Sequence, residues 1–430
     1  MQLLGKVIIL FLIIFNFRIP GFHSSAVLCL ILMVLYYIFI RKSVPFHYFF
    51  KKYNFSILIG LLIVLGIASF ITMVHSQYEF TLVKVLTLQF FMLSTLIFAL
   101  PVIIDDTRDD TFEQAINIIC HTFALQGLIQ LLGFLIPPFG DFLISTKPEG
   151  MQAALLDGPY NIYFRGYSLT GSPFFELPAG FGVATILFIR LIFIENQRYI
   201  TGYRKYVIPF LFLVGSMLSG RTAFIGVGLG VIMAFFFVKN FARTLLKVGK
   251  ILILFSVLGA GVYLFVLSSS QRRAITDDIL PFAFEFYYNY KSTGEFTTVS
   301  TDALVEHHYF PLSQNTLLHG DGRYVENDGA YYGRTDAGYM RALLYGGVPF
   351  LLCLIIYQSL YFISPLAISK TGNIKDDRAD FICFLILFLH LFILEYKADT
   401  IGTQNIMQVL LLFLGTGYIT RYYYRLESVE

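Results

Sequence analysis

Charge is what this sequence of 430 residues lacks. Asp, Glu, Lys and Arg together make up 14% of it, where soluble domains carry about 25%. Hydrophobic residues are 57% and the mean hydropathy is +0.70. A chain so short of charge cannot keep a soluble surface wetted, and disorder and collagen-like repeats are excluded with it. Cysteine is also rare. Cys29, Cys120, Cys353 and Cys383 all lie in apolar runs, so they read as small packing residues and exclude a disulfide scaffold. The net charge of +3, without a basic cluster away from the apolar flanks, gives no reason to expect a nucleic-acid partner. The sequence reads as an all-α, polytopic membrane protein forming one integral membrane domain over 1–430.

What the chain has instead is long apolar runs. A helix needs about 20 apolar residues to cross a bilayer. Runs at 3–17, 22–40, 55–74, 81–104, 115–136, 174–194, 207–219, 222–238, 251–268, 337–362, 379–396 and 404–420 predict about twelve spans. The first has Lys6 ahead of an apolar core, like a signal peptide. Arg18, Ile19 and Pro20 follow it rather than a small-residue cleavage site, so it is read as a helix. Positive charge collects in alternate short loops: Arg41, Lys42, Lys51 and Lys52; Arg198, Arg204 and Lys205; Lys239, Arg243, Lys247 and Lys250; Lys370, Lys375 and Arg378; Arg421 and Arg425. The other loops hold little more than Arg18 and Lys397. The positive-inside rule puts the first set and both termini in the cytoplasm. Residues 105–113 are inside by alternation despite their aspartates, which count little in that rule.

Two long segments then fall outside, 137–173 and 269–336. Loops of this length are uncommon unless functional. The first, rich in Pro, Gly and Tyr, reads as irregular. The second is expected to hold short helices, with the aromatic stretch 279–290 along the headgroup layer.

The stretch between Lys205 and Lys239 has 33 residues and positive flanks. As one helix it would reach about 50 Å, too long for a hydrocarbon core of about 30 Å. A hairpin with its tip at Ser219, Gly220 and Arg221 fits, each arm roughly 24 Å long. Arg221 then sits in a recess just below the outer surface. A charge there costs at least ~3 kcal/mol on insertion scales and is usually functional. Two readings stand: an arginine reaching for headgroups, and an outward-facing anion site.

Other polar residues share that side. Arg165 lies in Tyr163-Phe164-Arg165-Gly166-Tyr167. Glu176, at the mouth of the sixth span, is a candidate general base or a salt-bridge partner for Arg165. The second segment ends His319-Gly320-Asp321-Gly322-Arg323, then Arg334-Thr335-Asp336-Ala337-Gly338-Tyr339-Met340-Arg341. Such a Gly-Asp-Gly turn exposes backbone N–H groups, and a helix starting near Asp336 directs its positive end outward. Arg334 and Arg341 flank that start and could join Arg221 in holding a pyrophosphate through forked guanidinium groups. Asp336 equally suits a plain helix N-cap.

Other features carry less. Gly226, Gly228 and Gly230 lie within a span and read as helix packing. His307 and His308 are adjacent, so on a helix they point apart, and no metal site is expected. His121 and His390 read as hydrogen-bonded core residues, and Lys84 and Arg190 as side chains that snorkel from near span ends. Asn54-Phe55-Ser56 matches a glycosylation acceptor but sits on the cytoplasmic side. No nucleotide-binding loop is apparent.

Three motifs, in order, carry a resemblance: Arg165-Gly166-Tyr167 with Gly171-Ser172-Pro173; Leu218-Ser219-Gly220-Arg221-Thr222; and Leu318-His319-Gly320-Asp321-Gly322 with Thr335-Asp336-Ala337-Gly338-Tyr339 and Leu344-Tyr345-Gly346-Gly347-Val348. Over roughly 160–350 the chain resembles the Wzy-type O-antigen polymerases and, more broadly, the superfamily they share with O-antigen ligases. The resemblance implies a GT-C-like helical fold with about 12 transmembrane helices and two long periplasmic loops, in the bacterial inner membrane. It implies a glycosyltransferase without metal or other cofactor, acting on undecaprenyl-pyrophosphate-linked oligosaccharide, with a chain-length regulator and a flippase as partners. By that analogy Arg221 holds the pyrophosphate, with Arg165, Arg334, Arg341 and Arg323 as further candidates. Glu176, Asp336 and His319 are the candidate catalytic residues. Ligases of the superfamily are expected to carry a histidine in the late outer loop. Here Arg334 stands near that place and His319 lies earlier, which favours polymerase over ligase. A flippase or transporter is the third reading, disfavoured by a nearly charge-free midplane and the lack of an internal repeat.

Overall fold

The computed structural model describes residues 2–19, 24–75, 79–105, 108–156, 162–193, 199–237, 259–265, 267–368, 374–400 and 405–427. The chain is all-helical, and no strand forms among the described residues. Eleven helices follow the apolar runs: α1 (Leu3–Phe15), α2 (Ser25–Leu35), α3 (Lys52–Val74), α4 (Thr81–Ile103), α5 (Thr111–Leu135), α6 (Glu176–Phe193), α7 (Arg204–Ser219), α8 (Ala223–Phe235), α9 (Gly338–Ile368), α10 (Ile374–Lys397) and α11 (Asn405–Glu427). Six are long and apolar enough to cross a membrane: α3, α4, α5 and α6, residues Gly338–Ala367 of α9 and residues Arg378–Lys397 of α10. Shorter apolar helices cover Leu3–Phe15, Ser25–Arg41 and Ala223–Phe235. Most of the expected span at 251–268 lies outside the described residues.

The last helix is the hub. Every residue of α11 from Ile406 to Arg421 is buried, and the helix touches α1, α3, α4, α5, α6 and α9. A helix apolar all round belongs inside a bundle rather than on its face. Small and hydroxyl side chains let it pack on every side: the Thr416 hydroxyl donates to Asn54 Oδ1 at 2.8 Å, and the Thr111 hydroxyl to the Gly417 carbonyl at 2.9 Å. Asn54 is thereby a buried tie between α3 and α11. The first helix is also part of the core, with Leu10 and Ile13 fully buried.

Over its described part, 205–237, the expected hairpin forms two helical arms. The arms α7 and α8 both pack on α6. Gly226 explains how α8 comes so near: a Cβ there would stand 2.3 Å from Gly182 Cα. The glycines at 226 and 230 are packing residues as expected, whereas a Cβ at Gly228 meets nothing within 4 Å.

Two expectations require correction. Segment 137–173 is not irregular throughout: helices run over Pro137–Ser145 and Glu149–Leu156. Prolines at the first turn are preorganised for a helix start, and Met151 to Leu156 are good helix formers. Arg190 does not snorkel. It is 1% exposed and bonds Asp380 at 2.6 Å, with Glu113 3.6 Å away. Arg421 joins the same two carboxylates, so among the described residues two cations and two anions close a buried ring linking α5, α6, α10 and α11. The carboxylates arrive from helices remote in sequence, which gives the arginine a nearer partner than any headgroup. Segment 269–336 does hold short helices, at Ser269–Arg273, Leu280–Ala283, Glu285–Thr293, Val299–Ala303 and Gln314–His319.

Candidate functional site

At the opposite end of the bundle from that ring, the hairpin tip, segment 162–175 and segment 267–303 meet. Arg165 sits within a short turn at Tyr163–Gly166 and reaches under the tip. Its Nε donates to the Ser219 carbonyl at 2.7 Å, and its Nη2 bonds the Phe174 carbonyl. A cation on the last carbonyls of α7 offsets the negative helix end. Burial, with the nearby Arg221 charge adding to it, lowers the Arg165 pKa to about 10, so it stays charged at neutral pH.

Arg221 lies across the Phe282 ring at 5.0 Å, and Arg165 faces the same ring at 5.5 Å. The Arg221 side chain is 17% exposed. Its Nη1 pairs with the Glu285 carboxylate and its Nη2 donates to Ser300 Oγ at 3.2 Å. Lys397 arrives from the end of α10, and its Nζ donates to the same Ser300 Oγ, also at 3.2 Å. Its charge is close enough to Arg165 and Arg221 to be repelled by both. Among the described residues, three cations and one carboxylate therefore converge beneath an aromatic segment. Phe284, Phe286, Tyr287, Tyr288 and Tyr290 in that segment are exposed. Such a cluster suits an anion of more than one charge.

The other sequence-based candidates divide. Glu176 opens α6 beside this region but does not pair with Arg165. Its carboxylate accepts the backbone N–H groups of Asn405 and Ile406 and the Ser172 hydroxyl. It thus caps α11, taking up N–H groups that the first turn of that helix leaves without a partner. Asp336 is exposed at the start of α9, and its backbone N–H donates to His308 Nδ1 at 3.2 Å. Thr335 Oγ1 accepts from the Ala337 N–H just ahead of the helix. The adjoining Gly338 backs onto Glu395 and the Ala398 carbonyl, on the turn that carries Lys397.

Arg334, Arg341 and Arg323 do not join Arg221. Arg341 is 5% exposed, held between Tyr331 and Tyr324 at 3.6 and 3.9 Å, with Asp399 3.6 Å away. Arg334 is exposed and pairs with Asp328 at 2.6 Å. Arg323 is partly buried against Tyr332. His319 is exposed at the end of its short helix.

The Gly-Asp-Gly turn does not offer its N–H groups to an anion. Asp321 N donates to the Leu344 carbonyl at 2.7 Å and Gly322 N to the Tyr345 carbonyl at 3.0 Å. Those carbonyls are free because α9 breaks at Gly346 and Gly347 and because Pro349 has no N–H. Gly347 has φ +67°, and a Cβ there would stand 2.6 Å from the Leu317 carbonyl. The third motif is a clasp that fixes segment 314–322 on the broken helix.

Sequence reasoning missed Glu285, Ser300 and Lys397 as members of the site. For Lys397 a signal existed: it was one of two positive charges in loops otherwise poor in them. Comparisons of the chain with family models, with curated proteins and with solved structures return no match.

Proposed function

We propose that this membrane-embedded chain is a polymerase of lipid-linked oligosaccharide repeat units, acting at the periplasmic face of a bacterial inner membrane. The carrying observation is the convergence of Arg165 and Arg221 on Phe282 at the hairpin tip. In this reading the bundle has about twelve spans with both termini cytoplasmic, and the Arg221 end faces the periplasm. The exposed aromatic side chains of 284–290 suit the headgroup layer beside the lipid carrier.

The reaction needs no nucleotide, because the donor is already activated. A sugar hydroxyl of the incoming unit attacks the anomeric carbon at the reducing end of the growing chain. The new glycosidic C–O bond forms as the C–O bond to undecaprenyl pyrophosphate breaks, and the pyrophosphate leaves with the electron pair. Arg221 and Arg165 stabilise that departing charge electrostatically. The hydroxyl proton passes to a base. In this reading Asp336, exposed at the start of α9, accepts it rather than Glu176, whose oxygens already take N–H groups from α11.

The test is reconstitution in liposomes with the native undecaprenyl-pyrophosphate repeat unit and no lipid A core. A ladder of lipid-linked oligomers that disappears in Arg221→Ala supports the proposal. An intact substrate that yields no ladder overturns it. Added core acceptor and a flipping assay then separate a ligase from a flippase.

A further inference from the structure

Lys397 has no task in this scheme, yet its position is costly. Two guanidinium groups repel it, and it shares a single hydroxyl with one of them. Among the described residues no carboxylate pairs with it. A lysine ending a helix can simply satisfy the helix dipole, but that role needs no side chain directed at Ser300 beside Arg221. Arg221 is itself held by Glu285, whose second oxygen accepts the Val299 N–H at 2.8 Å. A carboxylate and a phosphate present the same kind of acceptor to a guanidinium fork. Against one carboxylate among the described residues, three cations leave a surplus that a diphosphate matches.

We infer that Lys397 is a third diphosphate-binding cation, seated with Arg165 and Arg221 around Ser300, and that the Glu285 carboxylate is the group an incoming diphosphate displaces. The inference rests on the polymerase reading for the source of the diphosphate, a lipid-linked donor. Exchange at Arg221 swaps one anionic acceptor for another, and the diphosphate gains Lys397 as well. Removing Glu285 takes away a competitor, so its loss strengthens anion binding, whereas loss of Lys397 weakens it. A purely structural role for either residue moves both variants in the same direction.

The experiment uses the purified full chain in detergent and measures inorganic pyrophosphate binding by calorimetry, with thermal melting to check the fold of each variant. Lys397→Gln is expected to weaken binding about tenfold, as for loss of one charge-assisted contact. Lys397→Arg keeps it within about threefold, and Glu285→Gln tightens it severalfold. Unchanged affinity in Lys397→Gln, or no gain in Glu285→Gln, overturns the inference. If Lys397→Gln does not fold, Lys397→Arg and Glu285→Gln decide. The liposome assay separates this from the polymerase reading. A ladder with an unaltered donor KM in Lys397→Gln removes the inference alone. Pyrophosphate binding without a ladder removes the polymerase and keeps the seat. Neither binding nor a ladder removes both.

Discussion

Arg190 on α6 and Asp380 on α10 are bonded at 2.6 Å, each about 1% exposed, deep in the same ring as Glu113 and Arg421. Breaking such a pair leaves an uncompensated buried charge, which typically costs 3–5 kcal/mol or about that. Asp380→Ala is therefore expected to lower the melting midpoint in detergent sharply. Replacing Arg190 and Asp380 together by Met and Leu is expected to recover much of the loss. A double variant no more stable than Asp380→Ala would show that the ring is not an electrostatic unit.

The crossing of α6 and α8 depends on two glycines. Gly226→Ala puts a methyl 2.3 Å from Gly182 Cα, so the helices must separate. At Gly228 the same change meets nothing within 4 Å, and helix propensity favours it by up to about 1 kcal/mol. Paired melting curves should move in opposite directions. Equal shifts would argue against this packing.

Lys147 gives a pH dependence. Its ammonium is buried in segment 137–173, where it donates to the Ser168 carbonyl and, at 2.9 Å, to that of Thr170. Burial lowers its pKa from 10.5 to about 7. Between those values the unfolded chain binds more protons than the folded one, so stability rises with pH from about 7 towards 10.5 and is lowest below 7. The slope is at most about 1.4 kcal/mol per pH unit. Melting followed by tyrosine fluorescence at pH 7 and pH 9 should show the rise, and Lys147→Met should abolish it.

Arg221 uses both ends of its fork, one on Glu285 and one on Ser300. A lysine is a point charge that cannot hold two planar acceptors in this way. Arg221→Lys is expected to fold normally yet to lose at least about tenfold in ladder yield, in keeping with the loss of one charge-assisted bond. Full activity in that variant would mean that charge alone matters at the tip.

Much of this architecture is legible along the chain. Local hydropathy marks the helices, because the run length needed to bury an apolar segment is a property of the segment itself. The hairpin followed from length against positive flanks, and Arg221 followed from the hairpin. Arg165 stands out in the sequence by its motif, and the structure puts its side chain beside the hairpin tip. The errors share a cause. Arg190 reads as a snorkelling side chain because nothing near it in sequence shows that Glu113 and Asp380 will surround it. The Gly320–Gly322 turn reads as an anion cradle because the carbonyls that take up its N–H groups are released by a helix break at Gly346.

The sequence by itself determined which segments leave water, since burial of apolar surface is decided residue by residue. Only the tertiary structure decided which charges meet. Lys397, Ser300 and Glu285 lie on three separate helices and Arg221 on a hairpin tip, and an electrostatic contact depends on distance in space and is blind to order in the chain.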